Sequence, residues 1–299
     1  MISVGCALLA LVVTGARLSG EVRTEAAARD ERGSGNWLEH SLGLQLWSLR
    51  VQMKSDLKSA LRLVPGYGLT QVEIAGTGDV SPDIFRGLLS ENGLVPIGAH
   101  YGFDRLQGDL PGVIAEARTL GVEYVICTSL PAAVKEWNAP AMERFAADCN
   151  ACGRKLHDAG LQLVFHTHGK EFLPLQESTT ATLFDLFARE TDPELVCFEM
   201  DVFWVLRAGQ DPIELLGRYS GRWRLIHLKD MRVGAVTGLF SGGASPTDRV
   251  SIGSGQIDWP RLLPAARAAG VKFYFIEDET TDPLKNIPLS LGYLRHLKL

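Results

Sequence analysis

The sequence predicts an α/β chain closed into a single (β/α)8 barrel. Three observations carry that prediction. Short apolar runs alternate with amphipathic stretches eight times from Leu42 onward. Glycines or capped prolines mark most junctions, so the connections are short. Four of the later apolar runs end in a histidine or an acid. Alternation of this kind implies parallel strands with helical crossovers, and eight strands favour closure over an open sheet. Leu42 to Leu299 is 258 residues, close to the about 250 of a typical barrel of this kind.

The elements follow in order. A first strand is expected at Gly43–Trp47 and a helix at Lys54–Val64, which Gly66 ends. Gln71–Ala75 is the second strand, and Ser81 before Pro82 starts the helix Pro82–Glu91, which runs to Gly93. Val95–Ala99 leads to the helix Leu110–Leu120 and Gly121, and Tyr124–Thr128 to Pro140–Asp158 and Gly160. Gln162–Thr167 and Leu195–Met200 are the fifth and sixth strands, separated by a helix over Thr180–Arg189. Asp211 caps Pro212–Tyr219, Arg224–Leu228 is the seventh strand, and a Gly-rich loop runs from Met231 to Gln256. Asp258 caps Trp259–Ala269, Lys272–Glu277 is the eighth strand, and a last helix lies within Leu284–His296, kinked or delayed by Pro288.

The chain has 299 residues, 46% hydrophobic and 22% charged, which is globular composition with enough apolar mass for a large core. Its formal net charge of −5 gives no broad basic face, so nucleic acid is not expected as a partner. Ile2 to Val13 is apolar and leads to Thr14, Gly15 and Ala16, too short for the roughly 20 apolar residues of a membrane span. Residues 1–20 therefore read as a signal peptide, although no Lys or Arg precedes the apolar run, and export to the periplasm or beyond is expected. Residues 21–41 are charged and Gly/Ser-bearing and read as a flexible linker, leaving 42–299 as the catalytic barrel. A homo-oligomer is compatible with all of this. Cys127 and Cys197 read as small buried hydrophobes, and Cys149 and Cys152 as two helix residues without the second pair that a structural zinc needs.

The chemistry is written in LVFHTH (163–168), VCFEMD (196–201), LIHLKD (225–230) and FYFIED (273–278). Side chains alternate along a strand. His166 therefore shares a face with His168, Asp201 with Glu199, and His227 with Lys229. In a parallel barrel His166, Asp201, His227 and Glu277 converge at the C-terminal mouth. Two imidazoles and two carboxylates there suit one divalent ion such as Mn, Co, Zn or Mg, the histidines weighing against Mg. Glu199, one layer deeper, is read as orienting a ligand, and His168 or Lys229 as the catalytic base. Lys229 also suits charge stabilisation of a forming oxyanion. Gln45, Glu73, His100 and Trp204 are candidates for binding substrate, and Trp47 and Trp137 for stacking on a sugar ring.

Several strings resemble the sugar phosphate isomerase/epimerase family of xylose-isomerase-like TIM barrels. They are QLWSLR (45–50), FHTHGKEF (165–172), FEMDVFWVLRAGQDP (198–212), LIHLKDM (225–231) and VSIGSGQIDW (250–259), all in family order. The resemblance implies one divalent metal held by His166, Asp201, His227 and Glu277, and a sugar or glycoside substrate deprotonated next to a carbonyl to give an enediolate. Where many members carry Glu, this chain has His166, and Trp204 replaces a histidine found in others. The H-x-H strand is similar to an exported subgroup of 3-keto-glycoside lyases. Isomerisation or epimerisation is thus the first expected outcome and elimination of the aglycone the alternative. Two other readings are an endonuclease-IV-like phosphodiesterase, which seven histidines and the acidic balance disfavour, and a non-catalytic carbohydrate-binding barrel.

Overall fold

A computed structural model describes residues 37–132, 134, 136–175, 180–240 and 243–299. The stretch read as a signal peptide and residues 21–36 of the linker lie outside the described residues. Leu38 is buried and belongs to the compact unit that runs to Leu299, whose first barrel strand begins at Leu42. Among the described residues no helix is long and apolar enough to cross a membrane.

In chain order the elements are β1 (Leu42–Gln45), α1 (Arg50–Ser55), α2 (Leu57–Gly66), β2 (Gln71–Ile74), α3 (Pro82–Glu91), β3 (Val95–Tyr101), α4 (Phe103–Gly108), α5 (Leu110–Leu120), β4 (Tyr124–Cys127), α6 (Ala139–Asp158) and β5 (Gln162–His166). There follow α7 (Leu183–Glu190), β6 (Val196–Asp201), α8 (Val202–Arg207), α9 (Pro212–Arg218), β7 (Trp223–Leu228), the short β8 (Asp230–Met231) and β9 (Arg249–Val250), α10 (Trp259–Ala268), β10 (Phe273–Ile276) and α11 (Pro283–His296). Strands β1 to β7 and β10 close into a parallel barrel in the order β1-β10-β7-β6-β5-β4-β3-β2, while β8 and β9 pair as a separate ribbon.

Where expected and observed elements differ, local hydrogen bonding explains it. β1 stops at Gln45 because its side-chain Oε1 accepts the Trp47 N–H and starts a 3-10 turn over Leu46–Leu49. The helix expected at Lys54–Val64 is two helices, since Asp56 is extended and caps α2 through the Ser59 N–H. The helix expected from Thr180 starts at Leu183, after a reciprocal Thr182–Asp185 capping box. Pro288 lies inside α11, which starts at Pro283 all the same. Cys149 and Cys152 are buried free thiols on α6.

The barrel interior is layered. Ile97, Tyr124, Ile126, Val164, Cys197, Leu225 and Phe275 form its apolar cluster. Phe275 is wholly buried, which stabilises by about 1.5–3 kcal/mol relative to exposure. Gly43 leaves room for it, since a Cβ there would lie 2.7 Å from the Gln71 carbonyl and 2.8 Å from the Phe275 ring. Two register shifts interrupt the pairing, at Val72/Glu73 against β3 and at Phe198/Glu199 against β7. Each adds one residue to a neighbouring strand and re-aims the side chains beyond it. The first lets both Ile97 and His100 turn inward from β3.

The loop after β7 is pinned at both ends of the ribbon. Asp230, wholly buried, accepts N–H groups from Met231, Gly253, Gly255 and Ile257 and from the Trp259 indole. A Cβ at Gly255 would collide with that carboxylate, so only glycine allows the loop so close.

Candidate functional site

Above Phe275 the interior turns polar in two tiers. The lower tier is Gln45, Glu73, His100 and Glu199. Gln45 Nε2 donates to Glu73 Oε1 at 2.8 Å, and the same oxygen lies 2.6 Å from His100 Nε2. The upper tier is Asp201, Lys229, Glu277 and Glu279. The Lys229 ammonium lies 2.9 Å from Asp201, 2.9 Å from Glu277 and 2.8 Å from Glu279.

His166 and His227 join the tiers, each with one nitrogen toward either side. His166 Nδ1 is 2.8 Å from Glu199 Oε2, and its Nε2 is 4.0 Å from Asp201 Oδ2. His227 Nε2 is 2.7 Å from Glu73 and 3.2 Å from Glu199, while its Nδ1 is 2.8 Å from Glu277 and 4.0 Å from Asp201. A carboxylate on one imidazole nitrogen fixes the ring and leaves the other nitrogen available to a metal.

Among the described residues, two groups offer ligand atoms lying within 4.8 Å of one another: His100, His166, Glu199 and His227 below, and Asp201, His227 and Glu277 above. The expected quartet of His166, Asp201, His227 and Glu277 is thus divided. Three members gather, and His166 joins them only through its outer nitrogen. The donor set fits a divalent cation. Glu73, Glu199 and Asp201 are wholly buried and Glu277 nearly so, while Lys229 is the one buried permanent cation among their partners, the others being imidazoles. Glu199 Oε1 and Asp201 Oδ2 are buried acceptors with ion-pair contacts but no hydrogen bond. Buried carboxylates in this excess need positive charge beyond one lysine.

Electrostatics divide the histidines. Burial lowers His166 well below its ordinary value, aided by the charge of the neighbouring imidazoles. Burial and the Lys229 charge push His168 down to about 4, leaving a neutral imidazole at neutral pH. Burial opposes protonation of His227, but Glu199, Glu73 and Glu277 overcome it and raise the group well above its ordinary value. His100 goes up to about 9, Glu73 outweighing burial. Among the acids, burial raises Glu199 and Asp201, whereas Lys229 and His227 outweigh it at Glu277 and hold that group well below the usual range. Burial disfavours the Lys229 charge, yet Asp201, Glu277 and Glu279 raise its pKa above the ordinary lysine value.

A cavity of about 440 Å³ opens over the upper tier, lined in part by Trp47, His100, His166, His168, Trp204, Lys229, Arg249 and Glu277. Gln45 and Glu73 were expected to touch substrate, and Glu199 to orient a ligand or take part in the chemistry. All three are wholly buried beneath the cavity floor, carried one layer deeper by β1, β2 and β6, and the Glu73 and Glu199 carboxylates contact imidazoles. His100 and Trp204 line the cavity. Lys229 is held as a cation by three acids.

Two participants escaped the sequence reading. Arg249, from β9, donates to Glu279 at 3.1 Å and lies 5.6 Å over the Trp204 ring. It was one basic residue inside a long loop. Glu171 is buried and accepts the N–H groups of His168 at 2.5 Å and Gly169 at 2.9 Å, fixing the turn that carries His168. Its signal was an acid at a fixed distance after the H-x-H.

Carboxylates and imidazoles gathered at the C-terminal mouth of a closed parallel barrel define a (β/α)8 barrel with a donor set able to take a metal ion. The chain belongs to the xylose isomerase-like TIM barrel family, whose model matches residues 67–297. It is similar to an inosose dehydratase of Lacticaseibacillus casei, 27% identical over 161 residues, 49% of each chain, so it matches about half the length of that relative. A sugar phosphate isomerase/epimerase of Parabacteroides distasonis superposes with a TM-score of 0.70 at 22% identity, over 85% of this chain and 97% of that one. The IOLI protein, whose structure carries a bound zinc atom, superposes at 0.63 with 15% identity, over 85% and 95%.

Proposed function

We propose that the protein is a metal-dependent enzyme that removes a proton next to a carbonyl of a sugar or keto-sugar, passing through an enediolate. One observation carries the reading: Asp201, His227 and Glu277 meet beside a buried lysine, and Glu277, that lysine and a neutral histidine line a single cavity. His166 joins these three as the fourth ligand through Nε2. A bound divalent ion would supply Lewis-acid polarisation of the carbonyl and its neighbouring hydroxyl.

The chain's own groups do the rest. His168, unprotonated and on the cavity wall, accepts the proton from carbon. Lys229 presents a fixed positive charge where oxygen becomes negative. Glu199 and Glu73 hold the inner nitrogens of His166 and His227. Trp204, almost fully buried beside Lys229, narrows the cavity.

Elimination is the favoured fate of the intermediate, supported by dehydratase names among the relatives and structural neighbours, and the zinc of the IOLI neighbour supports a bound divalent ion. Return of the proton, as in an isomerase or epimerase, uses the same groups. The test is to incubate metal-loaded protein with ketoses, inososes and 3-keto-glycosides in D2O and follow them by NMR. Deuterium appearing next to the carbonyl supports the reading, and loss of water or an aglycone identifies elimination. No exchange into any substrate of the panel sinks it.

A further inference from the structure

The central cavity is not alone at the mouth. A second cavity of about 470 Å³, walled by the turns after β1 and β2, shares Trp47 and Ala75 with it. A third of about 260 Å³, between the turns after β4 and β5, shares Thr128, His166 and His168 with it. The three adjoin in a row, with the candidate reaction centre in the middle. The two larger volumes each lie within the about 300–1,000 Å³ that suffices for a drug-sized ligand, more than one monosaccharide ring fills.

Each flank carries one incompletely covered indole. Trp47 is 44% exposed, its Nε1 donating to Glu279 at 3.2 Å and the Arg50 guanidinium lying 5.2 Å over its ring. Trp137, half-buried, lines the third cavity and packs edge-on against Phe145 at 5.9 Å. A held indole offers a flat apolar face with little further ordering cost, and sugar rings present C–H faces to such surfaces.

We propose that the substrate is a glycan of more than one ring, whose reacting ring occupies the central cavity while neighbouring rings lie on Trp47 at one side and Trp137 at the other. This rests on the reading of the central cavity as the sugar site and adds the length of what it takes. The row of cavities makes the enzyme a selector of linked sugars, with a free monosaccharide the poorer ligand.

The experiment is a calorimetric length series on the zinc-loaded full chain. Methyl glycosides of glucose, galactose and xylose are compared with their α- and β-linked di- and trisaccharides. In at least one series affinity rises by about tenfold on lengthening. Trp47→Ala and Trp137→Ala each remove part of that rise, so the ratio of trisaccharide to methyl glycoside affinity falls. Equal affinity for short and long members in every series overturns the proposal without any variant, and so does a length effect that both substitutions leave intact. Deuterium exchange into a monosaccharide with no length effect overturns this inference and leaves the function standing. A length effect in protein that neither holds metal nor exchanges protons leaves the groove and sinks the function.

Discussion

The two polar tiers of the barrel mouth handle buried negative charge by different means. The lower tier answers Glu73 and Glu199 only with imidazoles and one amide. The upper tier answers Asp201, Glu277 and Glu279 with the permanent cations Lys229 and Arg249. Imidazoles can give up a proton and take a metal instead, whereas a lysine held by three acids cannot. The seam between the tiers, His166 and His227, is therefore where a cation would be held under the proposed function, with His227 the residue whose proton it would displace. Depth in the barrel separates groups that orient from groups that face substrate.

The sharpest way to break this comparison is to remove the seam. His227→Ala strips Glu73 and Glu277 of a shared partner, so metal content and turnover vanish and stability falls by about 3–5 kcal/mol. Metal analysis and a denaturant midpoint check both, and a metal-replete variant would show that the tiers are not joined there. Lys229→Met tests the upper tier alone. Turnover should fall about 10²–10³-fold, and metal should remain. Loss of metal would make Lys229 a support for the ligands and not for the substrate. Glu199→Gln tests the lower tier. Metal affinity should drop about 10–100-fold, read by competition with a chelating dye.

Protons give the smaller effects. His227 carries its proton at neutral pH in the metal-free protein and must lose it to act as a ligand. Zinc binding should release about one proton and tighten as pH rises, visible as a buffer-dependent heat. Stability should respond in two opposite windows. Between pH 6.5 and about 4 the unfolded chain binds a proton that buried His168 refuses, so stability falls as pH drops. His100, raised to about 9, stabilises fully below 6.5 and loses that contribution as pH climbs through 9. His168→Asn should shrink the acid limb of the denaturant midpoint, to which His166 still contributes, and leave the alkaline limb unchanged.

Much of this was readable from strand alternation. The two-residue period put His166, Asp201, His227 and Glu277 at one end of the barrel and Glu199 one layer beneath Asp201. What alternation does not encode is depth across neighbouring strands, which pairing register sets. Gln45 and Glu73 thus looked like substrate ligands and lie under the floor. Register shifts are equally silent in sequence, and the one beside Glu73 turns His100 inward. Arg249 arrives from a ribbon closed by Asp230, a long-range arrangement without local periodicity. The break before α2 has a local signal, since Asp56 is a capping residue within an amphipathic run.

Asp201 ends β6 and also begins α8, its Oδ1 accepting the Trp204 N–H at 3.1 Å. One of its two oxygens is thereby committed to a helix terminus. A cation held here would find only Oδ2 uncommitted to the helix, and turning the carboxylate to offer both oxygens would uncap the helix that carries Trp204.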